Sequence, residues 1–198
     1  MSLVSRAAPR APTRRLFFAL WPDTAARHAL IAASTAAVAA SGGRPVPPAN
    51  LHATLAFLGA VPAARTAELA ALARAVAAAW PPGEAPLVLH FTRLAYWRGP
   101  QVLCALAPRA DAPAGTLAQV LKAAAAAAGF FPDLKPFRAH VTVARQVARA
   151  PHAARFAAVT WRCATLALIE SRSAPGGAVY SVLESAPLGK TEKFSKEC

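Results

Sequence analysis

The sequence predicts a mixed helix-and-strand fold built in two related halves, and three observations carry that reading. A His-x-Thr-aliphatic pattern occurs in Asn50-Leu51-His52-Ala53-Thr54-Leu55-Ala56-Phe57-Leu58-Gly59 and again in Phe137-Arg138-Ala139-His140-Val141-Thr142-Val143-Ala144-Arg145. Each copy has a proline four positions before its histidine, Pro48 and Pro136. Each is also preceded by a segment of helical spacing. In both copies the alternation over five residues reads as a strand, with His and Thr on one face and Ala53/Leu55 or Val141/Val143 on the other. The pseudo-duplication makes the two motif strands the inner elements of paired sheets.

The elements follow in order. Arg15 to Leu20 is a short apolar strand closed by Trp21-Pro22. Asp23 or Thr24 can cap a helix that runs to about Ala40 and stops at Ser41-Gly42-Gly43. Arg44 to Pro48 is an extended, proline-rich approach to the first motif strand, which ends at Leu58-Gly59. Leu69, Leu72, Val76 and Trp80 mark a second helix over about 63–80. Pro81-Pro82-Gly83 breaks the chain before a strand at Leu87, Leu89 and Phe91. Trp97 to Pro100 turns into a strand over Val102–Leu106. A third helix runs from about Ala114 to Ala128, ended by Gly129; its alanine run promotes helix and carries no signature. After the second motif, strands at about 159–171 and 179–184 form a hairpin through Ala174 to Gly177.

The 198 residues suffice for one domain with a sizeable core. Net charge is +13, and residues 16–189 alone hold 15 Lys and Arg against 7 Asp and Glu. So basic a body favours a polyanionic partner, nucleic acid above all, through counterion release. No run of eighteen apolar residues occurs, so no membrane-spanning helix and no membrane partner are expected. Residues 1–13 read as a disordered basic tail, 14–188 as a single bilobal domain, and 189–198 as a charged mobile tail. Cys104, Cys163 and Cys198 form no CxxC spacing; free thiols fit a reducing, cytoplasmic setting.

Of five histidines, His28 and His152 read as surface residues. His90 belongs to a third His-x-Thr, but Arg93 follows it in place of an aliphatic residue; it reads as solvent-facing. His52 and His140 are therefore the catalytic candidates, because an imidazole and a hydroxyl one strand-step apart can move a proton beside a bound anion. Zinc fits poorly: no Cys, Asp or Glu follows ligand spacing, and the acid nearest either motif is Asp133. No phosphate-cradling glycine loop and no Ser/His/Asp series is present.

With both motifs in view, the residues resemble the two-histidine phosphoesterase superfamily. Arg15-Leu-Phe-Phe-Ala-Leu and the two motifs are similar to those of the LigT-like RNA 2′,3′-cyclic phosphodiesterases, historically called 2′-5′ RNA ligases, from about Arg14 to Leu188. The departures are Ala53, where a larger aliphatic residue is usual, and Arg138-Ala139 before the second histidine. The resemblance implies a bilobal α+β fold whose two antiparallel sheets form a central cleft with helices packed outside. It implies metal-independent opening of an RNA or nucleotide 2′,3′-cyclic phosphate to a 2′-phosphate by a monomer without cofactor. His52 would be the proton donor and His140 the proton acceptor; Thr54, Thr142 and Arg145 would bind phosphate. Phe57, Phe17, Trp97 and Arg98 are candidates to stack the base, with core packing as the competing role. Arg145 has the wrong parity to share a face with His140, so the strand must end or bulge after Thr142, or Arg145 must reach around from the rim. End joining, a non-catalytic RNA-end-binding module and action on another cyclic phosphate such as ADP-ribose 1″,2″-cyclic phosphate are the competing functions.

Overall fold

Two four-stranded antiparallel sheets hold one motif each. The computed structural model describes residues 11–81, 87–107, 112–151, 155–175 and 177–189. The first sheet orders β10 (Gly177–Pro187), β9 (Thr165–Ala174), β1 (Thr13–Leu20) and β3 (Ala53–Pro62). The second orders β2 (Arg44–Pro45), β7 (His140–Arg145), β6 (Val102–Leu106) and β5 (Arg93–Trp97), and β4 (Leu87–Phe91) pairs with β8 (Val159–Cys163). The α+β class is thus as expected. The motif strand β7 is interior, whereas β3 ends its ladder. Its outer edge is covered by the loop before β7: the Asp133 amide donates to the Phe57 carbonyl and the Phe57 amide to the Asp133 carboxylate. A covered edge is protected from pairing with another chain.

The helices form where periodicity placed them. Helix α1 (Thr24–Ser41) starts on Asp23, whose carboxylate accepts from the Ala26 amide at 2.7 Å. It stops at Gly42, whose φ of 63° suits a residue without Cβ. Helix α2 (Thr66–Ala79) buries Leu69, Ala73 and Ala77 and packs on β9 and β10. Helix α3 (Ala112–Ala127) buries Leu117, Leu121 and Ala125 and packs against β3 and α2. The main core lies between these helices and the sheets, around Leu16, Phe18, Leu20, Leu30 and Trp161. Phe18 and Leu20 are fully buried, and each such side chain contributes roughly 1.5–3 kcal/mol relative to exposure.

Three expectations are corrected. The strand expected over 159–171 is two strands, split at Ala164 and shared between different sheets, because β9 is covered on both faces and β8 on one. An extra strand, β5, occupies Arg93–Trp97 and makes Trp97 a strand-end residue. The first motif strand continues past Gly59 to Pro62. The break at Pro82-Gly83, His152, Cys198 and nearly all of both expected tails lie outside the described residues.

Each motif strand carries a β-bulge directly after its threonine. On β7, Cys104 pairs with Thr142 and Leu103 with Ala144, leaving Val143 as the extra residue. On β3, Ala19 pairs with Thr54 and Phe18 with Ala56, leaving Leu55 extra. One inserted residue reverses the alternation that follows. Leu55 and Ala56, like Val143 and Ala144, are consecutively buried, and the residue after each pair, Phe57 or Arg145, is exposed.

Candidate active site

The inner faces of the two sheets meet at the histidines. On one, Phe17, Ala19, Ala167 and Ile169 make a small apolar floor, joined by Trp21 and Tyr180. On the other, Val102, Cys104 and Leu106 do the same, joined by Ala95 and Trp97. Cross-strand register sets His140 beside Leu106, Thr142 beside Cys104 and Arg145 beside Val102. The bulge at Val143 therefore resolves the parity difficulty: His140, Thr142 and Arg145 share one face.

Both histidines are held by one local device. His52 Nδ1 lies 2.7 Å from the Asn50 carbonyl, and His140 Nδ1 lies 2.7 Å from the Arg138 carbonyl. A carbonyl only accepts, so each Nδ1 carries its proton, and in the neutral ring Nε2 is left free as the base. Asn50 is fixed in turn, its side-chain amide donating to the Ala178 carbonyl of β10 at 3.0 Å.

Aromatic rings wall both imidazoles. Phe17 lies 4.9 Å from the His52 ring, Tyr180 5.1 Å away edge-on, and Trp21 5.9 Å away in a stacked arrangement. Trp97 lies 4.6 Å from the His140 ring, and the Arg138 guanidinium sits 5.6 Å from the centre of the Trp97 ring. Arg145 donates to the Tyr180 hydroxyl at 3.2 Å, tying the second motif to the wall around the first histidine.

These surroundings lower both imidazoles. Burial pushes His52 down to about 4; the Asn50 carbonyl opposes this, and the charges of Arg145 and His140 add to it. Burial also lowers His140, opposed by the Arg138 carbonyl and helped by the Arg138 charge. Burial pushes the Cys104 thiol up to about 11, so it stays neutral beneath Thr142, whose hydroxyl is 3.7 Å away. Asp133 is raised by burial but held below its ordinary value by Lys122 and the Phe57 and Lys135 amides, which occupy it structurally.

A cavity of about 630 Å³ opens beside His140, lined by Thr54, Phe57, Trp97, Lys122 and Arg138 as well. Among the described residues, no group of three or more His, Cys, Asp or Glu could hold a metal ion.

A family model described as the 2′-5′ RNA ligase superfamily matches residues 21–175. The chain belongs to that superfamily. It is 32% identical to the RNA 2′,3′-cyclic phosphodiesterase of Thermus thermophilus over 88% of this chain and 90% of that protein. It is 34% identical to the protein of the same name from Escherichia coli K12, over 69% of this chain and 74% of that one. The crystal structure of E. coli LigT complexed with 3′-AMP superposes with a TM-score of 0.70 and 27% identity, covering 89% of this chain and 99% of that one.

Within this superfamily member, Thr54 and His140 line one cavity, His140, Thr142 and Arg145 share one face of β7, and the charges of His140 and Arg145 reach His52. Phe57 is 52% exposed at the cavity, and Trp97 lines it half-buried. Phe17 is only 2% exposed; its ring supports His52 and offers no free face for a base. Arg98 is exposed in the turn after β5. His28 and His90 are exposed, as expected, and His90 Nδ1 lies 3.1 Å from the Thr160 hydroxyl. Sequence reading missed Asn50, Trp21 and Tyr180 as supports. Asn50 lies two residues before His52 and could have been found from its place in the motif; Tyr180, 128 residues away from His52, gave no local signal.

Proposed function

We propose that this protein hydrolyses RNA or nucleotide 2′,3′-cyclic phosphate ends to 2′-phosphomonoesters, without a metal, by two-histidine acid–base chemistry. The observation that supports it most is the pair of bulged His-x-Thr strands that turn two imidazoles, two hydroxyls and one guanidinium onto a shared cleft. His140, whose Nδ1–carbonyl contact is the more exposed of the two, takes a proton from water through its free Nε2. The resulting hydroxide attacks phosphorus, the P–O3′ bond breaks, and the departing 3′ oxygen takes a proton from His52. Burial makes protonated His52 a strong acid, which suits a donor to an alkoxide. The bound phosphate anion supplies the attraction that keeps that proton in place before transfer. Thr54 and Thr142 donate to the non-bridging oxygens, and Arg145 balances the charge that grows in the transition state. Phe57 and Trp97 supply faces for the base.

The test is to incubate purified protein with the four nucleoside 2′,3′-cyclic monophosphates and assign the products by phosphorus NMR. Formation of 2′-phosphates is expected. A 3′-phosphate product would reverse the assignment of the leaving oxygen. Tight binding without turnover would leave an RNA-end-binding module, and joining to a 5′-hydroxyl oligonucleotide would favour the end-joining reading.

A further inference from the structure

Arg145 has a second arginine directly beside it. Arg44 on β2 is its register partner, so two guanidinium-bearing residues of like charge sit opposite each other on neighbouring strands. Such a pair is destabilising unless something negative lies between or above it. Among the described residues, no ion pair involves either arginine; Arg145 is instead bonded to Tyr180. The pair borders a cavity of about 260 Å³, separate from the one beside Trp97, which adjoins the histidine site through Asn50, Arg145 and Tyr180. Across it, Gly177 leaves open the space its side chain would fill: a Cβ there would lie 4.0 Å from the Arg44 guanidinium.

We infer that Arg44, together with Arg145, forms a binding site for a second phosphate group of the substrate, distinct from the cyclic phosphate being opened. Guanidinium groups match phosphate with paired hydrogen bonds, and two of them side by side balance its charge while it relieves their repulsion. A substrate phosphate one nucleotide away from the reacting one is the anion that the cavity's junction with the histidine site would admit. Its source is either a 5′-phosphomonoester on the terminal nucleotide or the internucleotide phosphodiester of an RNA chain. The inference rests on the hydrolytic reading above.

Four substrates with one base separate these sources: adenosine 2′,3′-cyclic phosphate, its 5′-phosphorylated form, the adenylyl dinucleotide ending in the cyclic phosphate, and that dinucleotide with an uncharged methylphosphonate linkage. A charged second phosphate should raise wild-type kcat/KM at least about 10-fold over its uncharged counterpart. Arg44→Ala should abolish that gain and leave the mononucleotide rate unchanged, which also shows that the variant is folded. A gain confined to the 5′-phosphorylated mononucleotide identifies a phosphomonoester site; a gain for the charged dinucleotide identifies a phosphodiester site. For longer RNA, Arg44→Ala should reduce the slope of log affinity against log salt by about 0.7, the share of one single-strand phosphate contact. No gain from a second phosphate in the wild type, or equal losses on all four substrates in Arg44→Ala, overturns the inference. If the wild type turns over none of the four, the hydrolytic reading falls, and calorimetric titration with adenosine 3′,5′-bisphosphate decides the second site. Affinity lost in Arg44→Ala then supports it, and unchanged affinity overturns it.

Discussion

Phe57 and Arg145 occupy equivalent places in the two halves of the molecule. Each stands three residues beyond the threonine of its motif, just past an inserted residue, on the side of the strand that bears the histidine. The same bulge thus presents an aromatic ring from one half and a cation from the other. Under the proposed reaction, this would divide the work between a ring for the base and a cation for the phosphate.

Replacing Phe57 with alanine should raise KM for every cyclic mononucleotide by roughly 5- to 100-fold, the range of one base–aromatic stack, with kcat little changed. Steady-state kinetics on all four bases checks this. A fall in kcat at constant KM would place Phe57 in the chemical step instead.

His52→Ala and His140→Ala should each lower turnover at least about 100-fold with circular dichroism unchanged. The double variant should lose far less than the product of the two losses, because the groups act as a unit. Wild-type turnover in either single variant refutes the acid–base assignment.

Arg145→Gln should lower kcat by about 100- to 1,000-fold, as loss of a donor to a developing oxyanion does. It should also raise the pKa of His52, since the arginine charge now helps to hold that imidazole down. Carbon- or nitrogen-detected NMR titration of His52 reads the second effect, and a downward shift would show that the charge lies elsewhere.

The pH profile follows from the two lowered imidazoles. With His52 pushed to about 4 and His140 also below 6.5, the free-enzyme kcat/KM should peak on the acid side of 6.5 and fall about tenfold per unit above it. The limbs belong to the pair. Folding responds with a definite sign. The unfolded chain binds a proton at His52 near pH 6.5, and the folded chain does not until about 4. Stability from this group is complete above 6.5 and declines as pH falls toward 4. Urea midpoints at pH 7 and 5, compared between wild type and His52→Asn, measure it; an equal drop in both proteins would exclude His52 as the source.

Activity should survive exhaustive dialysis against EDTA. Loss of turnover, restored by a single divalent ion, would overturn the metal-free mechanism.

Much of the site was legible because its residues are local. The proline, the histidine, the threonine and the aliphatic residue fall within eight positions in each half, and a strand turns such spacing directly into a shared face. Arg145 was legible as a residue but not as a position, since a bulge is decided by pairing with β6 and leaves no mark on the strand's own composition. The division of 159–171 had a faint signal. Val159-Thr-Trp-Arg-Cys163 alternates, whereas Leu166-Ala-Leu-Ile169 is apolar throughout, and this change marks passage from a half-covered strand to one buried on both faces. Tyr180 and Trp21 reach His52 only through the order of strands in a sheet, which no window of sequence displays.

That strand order also governs when the protein can exist as an enzyme. Strand β1 lies between β3 and β9, so the first strand made waits for one of the last, and Tyr180 arrives later still on β10. On the ribosome, a nascent chain that already carries both histidines but ends before Thr165 leaves β1 with a bare edge and His52 without its phenol wall. The wall around His52 is therefore completed by the last strands of the chain, after both motif histidines have already been made.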